Sequence, residues 1–522
     1  MNQAKPLPQP GSRKKWAVLA VISFSLFIIL LDVTVVNIAL PSIMKGFKID
    51  LSSIEWIMNV YVLVFAALLL TLGKAGDLFG RKKLFMIGLG IFTLASFGCS
   101  VSPNFAFLLV SRGIQAVGGA CMLPATLSIL NVEFSGGQRG LALGIWGAVA
   151  GAANALGPII GGSLVDAFSW RWIFVINIPI GIGAFIATWL IVRESTDEKS
   201  DRQLDIPGVL IISAALFCLT FALVEGQKYG WTSTTILSLF AAALVGLVTF
   251  VFIELKKKSP LAQLRLFKNR SFAAGNIVGL VINFGLIGVI FLLVLYLQIV
   301  LNISALTAGL WILPLPLAII VVAPNAGRLT DLLGGRWILF AGTLITALGF
   351  YLMSDLSGVS RWTDLLIPLI ITGIGIGAVM APVTTVIMAS TPVEESGMGA
   401  GILSTIRQIG AVMGLSVLGA VLQTQLVSNV TLAINQISTL PAAVRTQIIT
   451  GVSGGNLSYG GLNVPANLPP AAVAQLMDLF KTQFAHSLDT AMRVGIFVIL
   501  IGAVASLFIA RNIKKAKVPP VA

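Results

Sequence analysis

Fourteen apolar stretches follow one another along the chain, at about 16–40, 54–72, 84–101, 105–130, 141–164, 172–192, 206–225, 234–254, 272–300, 306–323, 337–354, 364–388, 399–422 and 490–510, with short polar segments between most of them. Each falls in or above the range of roughly 17–25 residues that a helix needs to cross a bilayer. In lipid a backbone must satisfy its own N–H and C=O groups, and runs of this length are too long for barrel strands, so the pattern predicts helices throughout. The expected fold class is an all-α membrane protein with fourteen transmembrane helices. Composition agrees: of 522 residues, 57% are hydrophobic and only 10% charged, and mean hydropathy is +0.97, which a water-soluble surface would not tolerate.

The net charge of +14 changes this picture little. Its lysines and arginines are spread over short segments between spans rather than gathered in one basic domain, so no nucleic-acid partner is expected. Most lie in alternate segments, such as Arg13–Lys15 and Arg81–Lys83, which by the positive-inside rule places both termini in the cytoplasm of a multi-pass cell-membrane protein. The first run is too long for a secretory signal and has no small-residue cleavage site. Cys99, Cys121 and Cys218 all fall inside spans, where a packing role is expected, and the single histidine is His486. No metal cluster, cofactor site or catalytic constellation is legible, which argues against an enzyme.

Two charged connectors, "RESTDEKSDRQLD" at 193–205 and "LKKKSPLAQLRLFKNRS" at 255–271, divide the spans as six, two and six. "GKAGDLFGRK" at 73–82 returns as "GRLTDLLGGR" at 327–336, with Gly, Asp and Gly in matching places. The expected domains are a six-helix bundle over 1–192, a linker with two inserted helices over 193–271, and a second six-helix bundle over 272–522. Paired halves of this kind are common in secondary transporters, whose sites lie between repeats near mid-membrane. The second bundle includes a long outer loop, 423–489. Within it, Val473, Leu476, Leu479, Phe480, Phe484 and Leu488 fall at helical spacing, which predicts a surface-lying or capping helix, or else a docking site for an outer-surface partner.

Asp32 is the only charge in the first span. Counted from Trp16 it lies roughly 24 Å deep, and Arg112, counted from the other face, roughly 10 Å in, so the two share a depth in the outer third of the membrane. Intramembrane charges are expensive and mark pathways or pairs. Two readings stand: an Asp–Arg pair kept for packing, or a proton site whose environment alternates. At the repeat offset Asp32 corresponds to Leu286 and Arg112 to Leu366, so the second half lacks both charges. Candidate substrate-cavity residues are Asn37, Gln115 and Asn154 in the first half and Asn283, Phe284 and Arg407 in the second. In "GAANALGPIIGGSL", 151–164, the glycines and Pro158 suit either close helix approach or generic small-residue packing. The loop residues Gly73, Asp77, Gly80 and Arg81, with Asp331 and Arg336 in the repeat, form either a conformational latch or a simple basic anchor.

"LDVTVVNIALP" at 31–41, "GKAGDLFGRKK" at 73–83, "RGIQAVGGA" at 112–120, "GPIIGG" at 157–162 and "WRWIFVINIPIG" at 170–181 together resemble the major facilitator superfamily, in particular its 14-span drug:proton antiporters. The resemblance implies proton-driven efflux of small molecules by alternating access. It makes Asp32 the proton site, Arg112 its partner, and Gly157, Pro158, Gly161 and Gly162 the antiporter-helix motif. Ala75 and Ala116 stand where the family's motifs have leucine and glycine. The tenth span lacks the acid found in members that carry divalent cations. With one acid in the presumed cavity, neutral or monovalent cationic substrates are favoured.

Overall fold

The computed structural model describes residues 12–47, 56–134, 138–195, 206–257, 263–392, 395–437, 442–453 and 469–510, and among them every regular element is helical. Fourteen long helices follow in order: α1 (Ser12–Phe47), α2 (Trp56–Phe79), α3 (Arg81–Ser100), α4 (Phe105–Glu133), α5 (Arg139–Ala167), α6 (Asn177–Ile191), α7 (Ile206–Tyr229), α8 (Thr234–Lys256), α9 (Arg270–Leu295), α10 (Pro314–Leu333), α11 (Arg336–Ser354), α12 (Trp362–Ala389), α13 (Ser396–Asn435) and α14 (Pro470–Ser506). Side-chain caps begin several of them: Asn104 accepts from the Phe107 N–H, Ser233 from Ile236 and Asn269 from Ser271. Two spans are broken. One turn, Trp172–Val175, precedes α6, and Ala305–Ile312 precedes α10, where Pro314 restarts the helix.

The two halves pack alike. α1 lies against α4, α5 and α6, α2 against α4, and α3 against α4 and α6. In the second half α9 lies against α12, α13 and α14, α10 against α12, and α11 against α12 and α14. Small residues let these helices approach: an added Cβ at Gly118 would fall 2.5 Å from the Phe92 nitrogen, and Gly410 and Gly414 of α13 face the carbonyls of Leu280 and Phe284 on α9. The halves meet along two seams, α5 against α10 and α12, and α13 against α2 and α4. Of the two inserted helices, α7 packs on α2 and α13, whereas α8 touches mainly α7 and turns Leu244, Val245 and Phe252 outward.

The segment expected as a long outer loop is largely helical where it is described. Residues 423–435 continue α13, a short helix Ala442–Ser453 packs against it, and 470–489 are the first half of α14 rather than a separate lying helix. The expected helical spacing is present, and its apolar stripe faces α13. Leu476, Phe480, Phe484 and Leu488 pack in the core with Leu426, Val430 and Ile434, so the apolar stripe is consumed by the α13–α14 pair instead of facing a membrane surface or partner.

Candidate functional site

Asp32 and Arg112 are both buried, with 1% and 0% of their surface exposed, and Arg112 Nη1 donates to Asp32 Oδ2 at 2.5 Å. Gln115 Nε2 and Asn177 Nδ2 donate to Oδ1 at 3.0 and 2.8 Å. Gln115 also accepts from Arg112 Nη1 at 2.6 Å and donates to Ser96 Oγ at 2.8 Å. Arg112 and Gln115 are three residues apart on α4 and so share a face. Their side-chain partners come from α1, α3 and α6, so these side chains tie four helices of the first half together, and Arg112 Nε also donates to Ile57 O of α2 at 3.5 Å. Over the guanidinium lie the rings of Tyr61, 4.4 Å away, and Phe174, 5.8 Å away. Arg112 Nη2, the Tyr61 hydroxyl and Asn177 Oδ1 have no protein partner.

This site lies inside the first bundle, not on a cavity between the halves. Gln115, expected as a cavity residue, belongs to it. Since Asp32 is sealed and paired, it does not supply the electrostatic ground on which cationic substrates were favoured. Asn177, Ser96 and Tyr61 were missed. Asn177 carried a signal, being a lone amide within "WIFVINIPIG".

Gly157 and Gly161 hold α5 against α1 beside the acid. A Cβ at Gly157 would strike the Thr34 side chain, and one at Gly161 would come within 3.0 Å of Val35, whereas Gly162 has nothing within 4 Å. The side chains of Asn37, Asn154 and Pro158 lie outside the described residues. Asn283 donates to the Gly279 carbonyl of its own helix, and Phe284 is buried. Arg407, 9% exposed, donates through Nη2 to Met380 O at 3.1 Å and Thr384 Oγ1 at 2.6 Å, while its Nε has no partner. Glu225 of α7 went unnoticed in the sequence. It is buried and accepts from Asn59 Nδ2 at 2.8 Å.

At one end of the bundle the loop residues join the two halves in matching ways. Asp77 accepts from the Gly397 and Met398 N–H groups, at 2.8 and 2.7 Å, at the start of α13, and from Arg81 Nη2 at 2.7 Å. In the repeat, Asp331 accepts from the Gly140 N–H, at 2.8 Å, at the start of α5. Each half thus places a carboxylate on an orphan N–H end of a helix in the other half. Gly73 allows the approach, since a Cβ there would sit 2.6 Å from Gly397 O. Gly80 and Gly334, with φ +111° and +87°, make the two equivalent turns. Glu194 closes over Gly80 and accepts from the Lys82 and Lys83 N–H groups, both at 3.0 Å. Arg336 Nε donates to Ile509 O at 2.6 Å, tying the start of α11 to the chain just past the end of α14.

Residues 22–415 match the Major Facilitator Superfamily. Among relatives, the chain is 33% identical to the tetracenomycin C resistance and export protein of Streptomyces glaucescens, over 80% of this chain and 78% of that one. It is 32% identical to the multidrug transporter protein MdtP of Bacillus subtilis, over 93% and 91%, and 37% identical to the riboflavin transporter RibZ of Clostridioides difficile (strain 630), over 77% and 87%. With its helical repeat and paired seams, this chain belongs to the Major Facilitator Superfamily and is a multi-pass membrane transporter, not an enzyme.

Proposed function

We propose that the protein is a proton-coupled antiporter that exports hydrophobic or amphipathic small molecules from the cytoplasm by alternating access. The observation that carries this reading is the buried Asp32–Arg112 pair with its two amide donors. An ionised carboxylate only accepts, and three donors converge on Asp32. A proton arriving on Asp32 weakens its hold on Arg112 and removes an acceptor that α4 and α6 share. The four tied helices then loosen together, which gives protonation a mechanical consequence. The names of the multidrug and tetracenomycin relatives support efflux.

Positive-inside placement puts the Asp77 and Asp331 end at the cytoplasm of the cell membrane, with both termini on that side. The arrangement seen is then the cytoplasm-closed one. Breaking the two carboxylate–helix contacts opens the cytoplasmic entrance, so they act as a latch on switching rather than on binding. The test is efflux from vesicles bearing a pH gradient. Transport unchanged after the gradient is collapsed would contradict antiport. A second reading is a dedicated exporter of one endogenous metabolite, lipid or antibiotic; the riboflavin relative, whose name gives a single compound, supports narrow substrate choice. Substrate breadth measured in the same vesicles separates the two.

A further inference from the structure

We propose that Arg407 is an anion subsite and that the substrates this transporter handles best carry a carboxylate. The inference rests on the transport reading above and specifies its substrate class. Arg407 is the eleventh residue beyond Ser396, so it stands roughly 16 Å along α13, near the middle of a hydrocarbon core of about 30 Å. Its side chain is held between α13 and α12, both of which form seams with the first half. That is where transporters of paired halves hold substrate.

The chemistry is unfinished. A guanidinium offers five donors. Here Nη2 serves two neutral acceptors, Met380 O and Thr384 Oγ1, and buried Nε serves none. Among the described residues no carboxylate lies within ion-pair distance of Arg407, in contrast to Arg112. A strut for α12 would need only the Nη2 contacts, and an uncharged donor would provide them without the cost of burying a charge. A planar cation with an unpartnered buried donor and no counter-charge instead suits a planar anion, which a guanidinium grips through two parallel hydrogen bonds.

The test uses two dyes that differ in one group, the unsubstituted rhodamine carboxylate and its methyl ester, with binding to purified protein read by fluorescence anisotropy. The wild type should bind the carboxylate at least about tenfold tighter than the ester. Arg407→Gln should bring that ratio to about one. Arg407→Lys, which keeps the charge and loses the fork, should give an intermediate ratio, so the comparison survives if the glutamine variant folds poorly. A wild-type ratio of one or below, no binding of the carboxylate dye, or an unchanged ratio in folded Arg407→Gln would overturn the proposal. Binding needs no gradient, so its failure is separable from failure of proton coupling. A ratio of one beside intact gradient-driven efflux sinks only the anion subsite. A tenfold ratio with no such efflux sinks only the antiport.

Discussion

Arg112 and Arg407 are both arginines buried in a membrane span, yet their surroundings differ in kind. Arg112 is matched by Asp32 at 2.5 Å, by Gln115 at 2.6 Å and by two aromatic rings, and is sealed within one half. Arg407 has neutral acceptors on one nitrogen and no acid, and it sits beside the seam between halves. The contrast teaches that the repeat duplicated the scaffold without duplicating the charges. A closed pair can respond to a proton by rearranging its own bundle. A cation with no carboxylate beside it can respond only to something that arrives from outside it. On this account the first half couples and the second half selects.

Replacing each arginine should break the comparison most clearly. Arg112→Ala leaves Asp32 buried without its counter-charge and should destabilise the fold by about 3–5 kcal/mol, seen as a lower melting temperature and reduced yield of monodisperse protein. Arg407→Gln strands no acid and should change stability by less than about 1 kcal/mol, read by the same melt. Equal losses in the two variants would mean that both arginines are structural.

The two latch carboxylates come next. Asp77 receives two N–H bonds from the start of α13 and Asp331 receives one from the start of α5, so Asp77→Ala and Asp331→Ala should each slow turnover. A helix-terminal carboxylate contributes about 0.5–2 kcal/mol, so several-fold to about 30-fold slowing is expected for Asp77→Ala, with equilibrium affinity for a transported dye nearly unchanged. Stopped-flow transport and equilibrium binding on the same preparation check this. A large fall in affinity at unchanged turnover would count against a latch.

Much of this was legible in the sequence because membrane solvent imposes simple rules. Spans follow from apolar length, and the match of Asp77 with Asp331 follows from the repeated loop. Depth along a helix also brought Asp32 and Arg112 together, since both were counted from opposite faces at a known rise per residue. Rotation about the helix axis was harder to read. The i, i+3 spacing in "RGIQAVGGA" puts Gln115 on the face of Arg112, but whether that amide meets Asp32 or a cavity between halves depends on which neighbours α4 packs against. The helix over 471–488 failed for a similar reason: its stripe was visible, but the matching stripe at Leu426, Val430 and Ile434 lies on another helix.

The smallest expected difference sharpens the same point within one motif. Gly157→Ala must displace the Thr34 side chain two residues from Asp32 and should lower transport measurably, whereas Gly162→Ala meets nothing within 4 Å and should stay within about 0.5 kcal/mol and near wild-type rate. Vesicle efflux of one dye, compared between the two, reads this directly.

The central claim is that Asp32 gains and loses a proton during transport. Asparagine keeps its size and hydrogen bonding but cannot ionise. The decisive measurement is uphill dye efflux in vesicles with an imposed pH gradient, comparing wild type with Asp32→Asn of equal yield and monodispersity. The account predicts that the variant binds dye yet moves none against its gradient. Uphill pumping by Asp32→Asn at the wild-type rate would contradict it and leave the Asp32–Arg112 pair a structural tie.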